Sequence, residues 1–144
     1  MSNVSVTAAE VQPGSDGDFY DGTAGETITA GQTIYLSLVD NRLYKADANS
    51  LPGSNVKGIS CHGASLSQPL RIQTSGTIVI GATASIGEGI AYWLSETAGG
   101  IAPYVDLDAG GMYGTFLGES DGLNGIKLQI AVTGHLITAF DSSP

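Results

Sequence analysis

The run Thr33-Ile34-Tyr35-Leu36-Ser37-Leu38, followed by Asp40-Asn41 and then by Arg42-Leu43-Tyr44-Lys45-Ala46, reads as two strands joined by a turn. β-Branched, aromatic and aliphatic side chains favour extended backbone, and the Asp-Asn pair supplies the reversal between the runs. The same pattern continues outward. Residues 56–61 form another apolar run, and Pro69–Gln73 alternates, with Leu70 and Ile72 on one face and Arg71 and Gln73 on the other. Thr77-Ile78-Val79-Ile80 follows Ser75-Gly76 as a further strand. Turn formers recur about every 8–12 residues, the spacing of a small barrel or sandwich. Glycine interrupts nearly every window long enough for three helical turns, so at most one short turn fits, around residues 64–67.

Composition excludes several classes. The chain has 144 residues, 21 of them glycine, with 13% charged and 42% hydrophobic residues and a net charge of −9. Its five Lys and Arg are too few to replace the counterions of a nucleic-acid backbone. The glycine load opposes a helical bundle, and the hydrophobic fraction opposes disorder. No apolar stretch approaches the roughly 18 residues of a membrane span. Residues 1–10 hold neither the base nor the apolar segment of a signal peptide. The single cysteine, Cys61, excludes an internal disulfide and a cysteine-rich metal site, and fits synthesis in a cytoplasm.

The charges are unevenly placed. Glu10, Asp16, Asp18, Asp21, Glu26 and Asp40 all precede the first base, Arg42. Pro13-Gly14-Ser15-Asp16-Gly17-Asp18-Phe19-Tyr20-Asp21-Gly22-Thr23-Ala24-Gly25 is rich in acids and turn formers. Residues 1–25 therefore read as an extended N-terminal arm, a short strand-like piece followed by a flexible acidic linker. Val4, Val6, Val11, Phe19 and Tyr20 are the apolar residues with which the arm would dock on a partner. Residues 26–144 then form one β domain.

That domain reads as two similar halves, about 26–80 and 81–139. Residues 69–76 align with residues 127–134, and Leu43 with Ile101, all 58 positions apart. Gly31 and Ile34 align with Gly87 and Ile90, and Gly58 with Gly114, at a spacing of 56. Tyr35 and Tyr92 hold corresponding strands. Two such units would pack into one pseudo-symmetric barrel or sandwich, since neither alone buries its apolar face.

No constellation supports catalysis, a cofactor or a metal. Gly118-Glu119-Ser120-Asp121-Gly122 matches the nucleophile-elbow spelling, but Leu123-Asn124-Gly125 continues as loop where that motif needs a helix, and His135 precedes the only later acid, Asp141. Cys61 and His62 are strand neighbours and so point to opposite faces. Asp16, Asp18 and Asp21, and separately Asp106 and Asp108, lack the frame of a calcium loop and read as turn acids. Tyr92-Trp93 on a β face is the best support for a second reading, a carbohydrate- or receptor-binding module.

The stretch Ala24-Gly25-Glu26-x-Ile28-x-Ala30-Gly31-Gln32-x-Ile34-Tyr35-Leu36, then residues 43–48 (Leu-Tyr-Lys-Ala-Asp-Ala), Val56-x-Gly58-Ile59 and residues 68–76, resembles the small capsid cement or head decoration proteins of tailed bacteriophages. The match covers roughly residues 24–80, and the second half follows through the repeat. The resemblance implies an all-β, β-tulip-like structural protein with no enzymatic activity. Such proteins sit on the outer surface of the matured virion shell and bridge major capsid subunits, commonly as homotrimers and in some cases as dimers. An N-terminal arm commonly reaches onto the shell; the acidic lead over residues 13–22 is longer here than in the shortest members. On this reading, deleting residues 1–22 leaves a folded domain that no longer binds capsids.

Overall fold

The computed structural model describes residues 6, 8–48, 52–80, 91–95, 98–103, 112–120 and 125–137. It is all-β. The strands are β1 (Gln12–Pro13), β2 (Phe19–Thr23), β3 (Thr33–Leu36), β4 (Leu43–Lys45), β5 (Val56–Ser60), β6 (Pro69–Gln73), β7 (Gly76–Val79), β8 (Ala91–Leu94), β9 (Ile101–Pro103), β10 (Met112–Ser120) and β11 (Gly125–Ile137). Among the described residues the one helical turn is a three-residue 3-10 turn at Ala8–Glu10, away from residues 64–67.

Two antiparallel sheets divide the chain between Gln73 and Gly76, except that β1 joins the second. One has the order β2-β6-β5-β3-β4, the other β1-β7-β11-β10-β8-β9. Leaving β1 aside, each places its five strands, taken in chain order, as first, fifth, fourth, second, third. The irregularities match as well. Ile34 opposes Gly58 and Tyr35 opposes Val56, so Lys57 bulges. Tyr92 opposes Gly118 and Trp93 opposes Phe116, so Leu117 bulges at the same ladder position. In these ladders Leu43 corresponds to Ile101 as expected, but Gly58 corresponds to Gly118 rather than Gly114, and Ile72 to Ile126 rather than Ile130. Both slips are of four residues. A period-two pattern looks the same after any even shift, so alternation fixes the face without fixing the register.

The first sheet closes on itself. Ala24, just past β2, bridges Leu43 of β4, and the Gly25 amide donates to the Leu43 carbonyl at 2.8 Å. Gly25 has no room for a side chain there, because a Cβ would stand 2.3 Å from the Tyr44 ring. Inside this small barrel lie Ile34, Leu43, Leu70 and Ile72, capped by Ile28 and Ala64, whose backbones exchange hydrogen bonds of 2.8 and 2.9 Å. Tyr92, Ile101 and Ile126, the counterparts of Ile34, Leu43 and Ile72, lie with Ile78 in the second core, which also takes in Ala46, Ala48, Val56 and Ile59 from the first unit. The units are joined by backbone hydrogen bonds from Thr33 to Gly99, Gly99 to Ala46 and Ala48 to Ser95.

Residues 8–25 are not an arm. β2 is a full member of the first sheet, paired with β6 from Phe19–Gln73 to Thr23–Pro69, and β1 pairs with β7. The acidic stretch between them is fastened to the junction of the two sheets. The buried Gln73 side chain accepts from the Gly14 amide at 3.1 Å and donates to the Ser75 and Thr77 carbonyls. Asp16 accepts from the Thr77 amide, the Ser75 hydroxyl donates to the Asp18 carboxylate, and the Thr74 amide donates to the Asp18 carbonyl. Turn formers and acids look like linker in sequence because their partners lie about 60 residues away. The first unit accordingly begins at Phe19 rather than at residue 26.

Candidate docking surface

Of the five residues expected to dock on a partner, three are committed to the protein's own interior. Val6 and Val11 pack on the second core and against Gly31, where a Cβ would stand 2.5 Å from Val6. Gly31 sits at φ +83°, a conformation glycine adopts without strain. Tyr20 packs on the first core, beneath the Lys57 ammonium at 4.5 Å from its ring centre. Phe19 is exposed, with the Arg71 guanidinium 5.4 Å from its ring centre. Val4 lies outside the described residues.

The surface that stands out is the β3–β4 hairpin. Its tip is held by its polar residues. The Ser37 amide donates to the Arg42 carbonyl, and the Asn41 amide to the Ser37 carbonyl, both at 2.9 Å. Asn41 takes the left-handed conformation, φ 58°, that its short polar side chain tolerates. The Asp40 carboxylate accepts from the Arg42 amide at 3.1 Å and from the Tyr44 hydroxyl at 2.5 Å. The hydroxyl's hydrogen bond holds the Asp40 carboxyl below its usual range and pushes the Tyr44 hydroxyl above its own. This well-bonded turn presents Leu38 and Val39 at 86% and 96% exposure. Two adjacent aliphatic side chains held almost entirely in water by a hydrogen-bonded turn mark a binding surface better than scattered apolar exposure does.

Beside the tip runs a groove of about 370 Å³ lined by Leu36, Leu38, Val56, Lys57, Ile130 and Val132. Lys57 is the bulged residue of β5, and the bulge brings it to the groove wall. Val132 is itself 40% exposed. From Gln129 onward β11 is paired by β10 alone among the described residues, since β7 covers only Gly125 to Leu128. The groove therefore combines aliphatic side chains, polar ones from Asn55 and Thr74, one cation and a strand with an open edge.

The other candidates serve structural ends. The Asp21 carboxylate receives a bidentate pair from Arg71, at 2.7 and 3.1 Å, across β2 and β6. His62 is held through both ring nitrogens, by the Gly63 carbonyl and the Arg71 amide. The half-buried Cys61 thiol is pushed up to about 11, chiefly by burial. At pH 8 the folded protein is therefore expected to react slowly with a thiol-selective disulfide reagent, and the urea-unfolded chain at the rate of an ordinary cysteine. The unfolded thiol ionises first, near its usual 9.0. Folding stability should accordingly fall as pH rises from about 9 towards 11. Equal reaction rates for folded and unfolded protein would contradict this placement.

Tyr92 is wholly buried, and Trp93 is half-buried, set edge-on to Phe116 at 5.6 Å, so this pair is core and rim rather than an open sugar platform. Gly118 to Ser120 end β10, not a strand-to-helix elbow, while residues 121–124, Asp106 and Asp108 lie outside the described residues. Among the described residues no three His, Cys, Asp or Glu gather as a metal site.

Sequence reasoning passed over Leu38 and Val39 because it extended β3 through Leu38. The signal available was their place directly before Asp40-Asn41, where polar turn residues are the norm. No protein-family model and no curated protein matches this chain.

Proposed function

We propose that this chain is a structural protein of a tailed-phage virion. It is a decoration or cement protein that binds the outer capsid surface and stabilises the shell by bridging major capsid subunits. The observation that carries the reading is the exposed Leu38–Val39 tip beside its groove, on a chain whose Asp16, Asp18, Asp21 and His62 are engaged in holding the fold. The ordered motifs over residues 24–80, which supply the first barrel's closure and core, support the same reading. Bridging by such a protein sums weak contacts, and symmetry multiplies them across the lattice.

The test is co-sedimentation with expanded and unexpanded shells of a phage carrying this chain. Saturable binding to expanded shells is expected, with shells that resist heat or chelation longer when decorated. Binding to neither form would overturn the reading. Leu38→Asp with Val39→Asp is expected to weaken decoration at least tenfold while leaving the melting temperature within a few degrees, because both side chains are exposed.

A further inference from the structure

We propose that the outer edge of β2 receives, as an added strand, an extended segment of the shell subunit that carries Lys or Arg. Resting on the decoration reading, this gives the shell a second contact apart from the hairpin tip. Hydrogen bonds from β2 to β6 fall on alternate residues. The Thr74 amide donates to the Asp18 carbonyl at 2.8 Å, and the Ala24 amide to the Gln68 carbonyl at 2.9 Å. Tyr20 and Gly22, at the even positions between, therefore bond to β6, and the main-chain groups of Phe19 and Asp21 point the other way. The Gly25 amide shares their parity and reaches the Leu43 carbonyl of β4. Short of Gly25 the edge is open. Among the described residues β2 is the outermost strand of its sheet, and β4 meets this side only at the Ala24–Leu43 bridge.

The second unit carries the same edge filled. Ile78 opposes Ile126 as Tyr20 opposes Ile72, so Val79 stands for Asp21 and Thr77 for Phe19. Val79 pairs with Gln12 of β1, and the Thr77 amide donates to the Asp16 carboxylate at 3.2 Å. The molecule thus covers this edge once with its own chain and leaves the counterpart bare. The occupant it has is short, extended and antiparallel, the form in which an added strand is held through its main chain. Edge strands that avoid such pairing carry a proline, a bulge or lysines, and Phe19–Thr23 has none of these. Phe19, 40% exposed, lies beside the edge for a side chain of the incoming strand to cover. Charge sets the rest of the partner's chemistry. The chain carries −9, and Asp16 and Asp18, which lead into β2, form no ion pair among the described residues. A segment with Lys or Arg is drawn to this side.

Co-sedimentation with expanded shells and amide hydrogen exchange test the edge. Asp21→Pro removes one outward amide and no bond to β6, at an edge position of the kind that tolerates proline. It is expected to weaken decoration about tenfold or more. Asp21→Ala loses the same Arg71 ion pair but keeps the amide, and is expected to weaken it by no more than about threefold. Circular dichroism melts check that both variants fold. The exchange measurement needs no variant. The Phe19 and Asp21 amides of the wild-type protein should exchange freely in solution and about tenfold more slowly on shells, with Tyr20 and Gly22 slow in both. Decoration that Asp21→Pro leaves intact, or outward amides that shells do not slow, overturns strand addition and leaves the decoration reading standing. Outward amides already slow without shells give the edge to another copy of the chain and overturn it too. Affinity should fall with added salt, and binding indifferent to salt overturns the charge assigned to the segment. Wild-type protein that binds neither shell form overturns both readings.

Discussion

A chain lacking residues 1–22 is expected to have no cooperative unfolding transition in urea. The sequence points the other way, to a folded core that has merely lost its docking arm. The truncation removes β1 and nearly all of β2, and with them the strand between β6 and the Ala24–Leu43 closure of the first barrel. It strips Tyr20 from the first core and Val6 and Val11 from the second. Each such apolar side chain contributes roughly 1.5–3 kcal/mol when fully buried, and somewhat less when partly so. Gln73 loses the Gly14 amide, and the Thr74 and Thr77 amides lose Asp18 and Asp16, at about 1 kcal/mol per hydrogen bond. The sum is on the order of 5–10 kcal/mol, comparable to the whole stability of a typical domain. Denaturant titration followed by circular dichroism and Trp93 fluorescence reads the outcome. A truncated protein that melts within a few degrees of the full chain would show that residues 8–22 are dispensable.

Gly118→Ala is expected to destabilise the protein by about 3–5 kcal/mol, the range reserved for backbone strain and forced repacking. Gly118 follows the bulge of β10 at φ +152°, and a Cβ there would stand 2.1 Å from the Lys127 carbonyl oxygen of the neighbouring strand. That oxygen is backbone, held in the β10–β11 ladder, so it cannot rotate away as a side-chain end would. At roughly 2–4 °C per kcal/mol for a chain of about this size, the melting temperature should fall by about 10 °C. Gly58→Ala, at the matching bulge, should act in the same direction, since its Cβ would meet the Gln73 carbonyl oxygen at 2.4 Å. Leu66→Ala, at 59% exposure, serves as the comparison and should change stability by no more than about 0.5 kcal/mol. A Gly118→Ala protein as stable as the Leu66→Ala protein would remove the bulge from any part in holding the second sheet together.

The hairpin of β3 and β4 was legible because its signal is local: apolar strand residues and a turn pair within a dozen positions. Leu70 and Ile72 facing inward against an exposed Arg71 follow equally from alternation. The register between corresponding strands was not legible. Even shifts preserve the pattern, and the bulges at Lys57 and Leu117 add a residue that no periodicity announces. The docking surface was misplaced for a related reason. Apolar residues in an acidic, turn-rich lead look free, whereas Leu38 and Val39 look like the tail of a strand. Which of them meets water depends on where the ladder stops.

Residues 24–80 by themselves determined the β class and the short elements, because those rest on alternation, turn chemistry and glycine placement along the chain. Only the tertiary structure decided that Gly14–Asp18 fastens the junction of the sheets, that the first sheet closes through Ala24 and Leu43, and that Leu38 and Val39 stand in water beside a groove walled by β11. Each of these depends on hydrogen bonds or packing between residues far apart in sequence, and the sign of a side chain's contribution is set by the neighbour that reaches it, which no local pattern records.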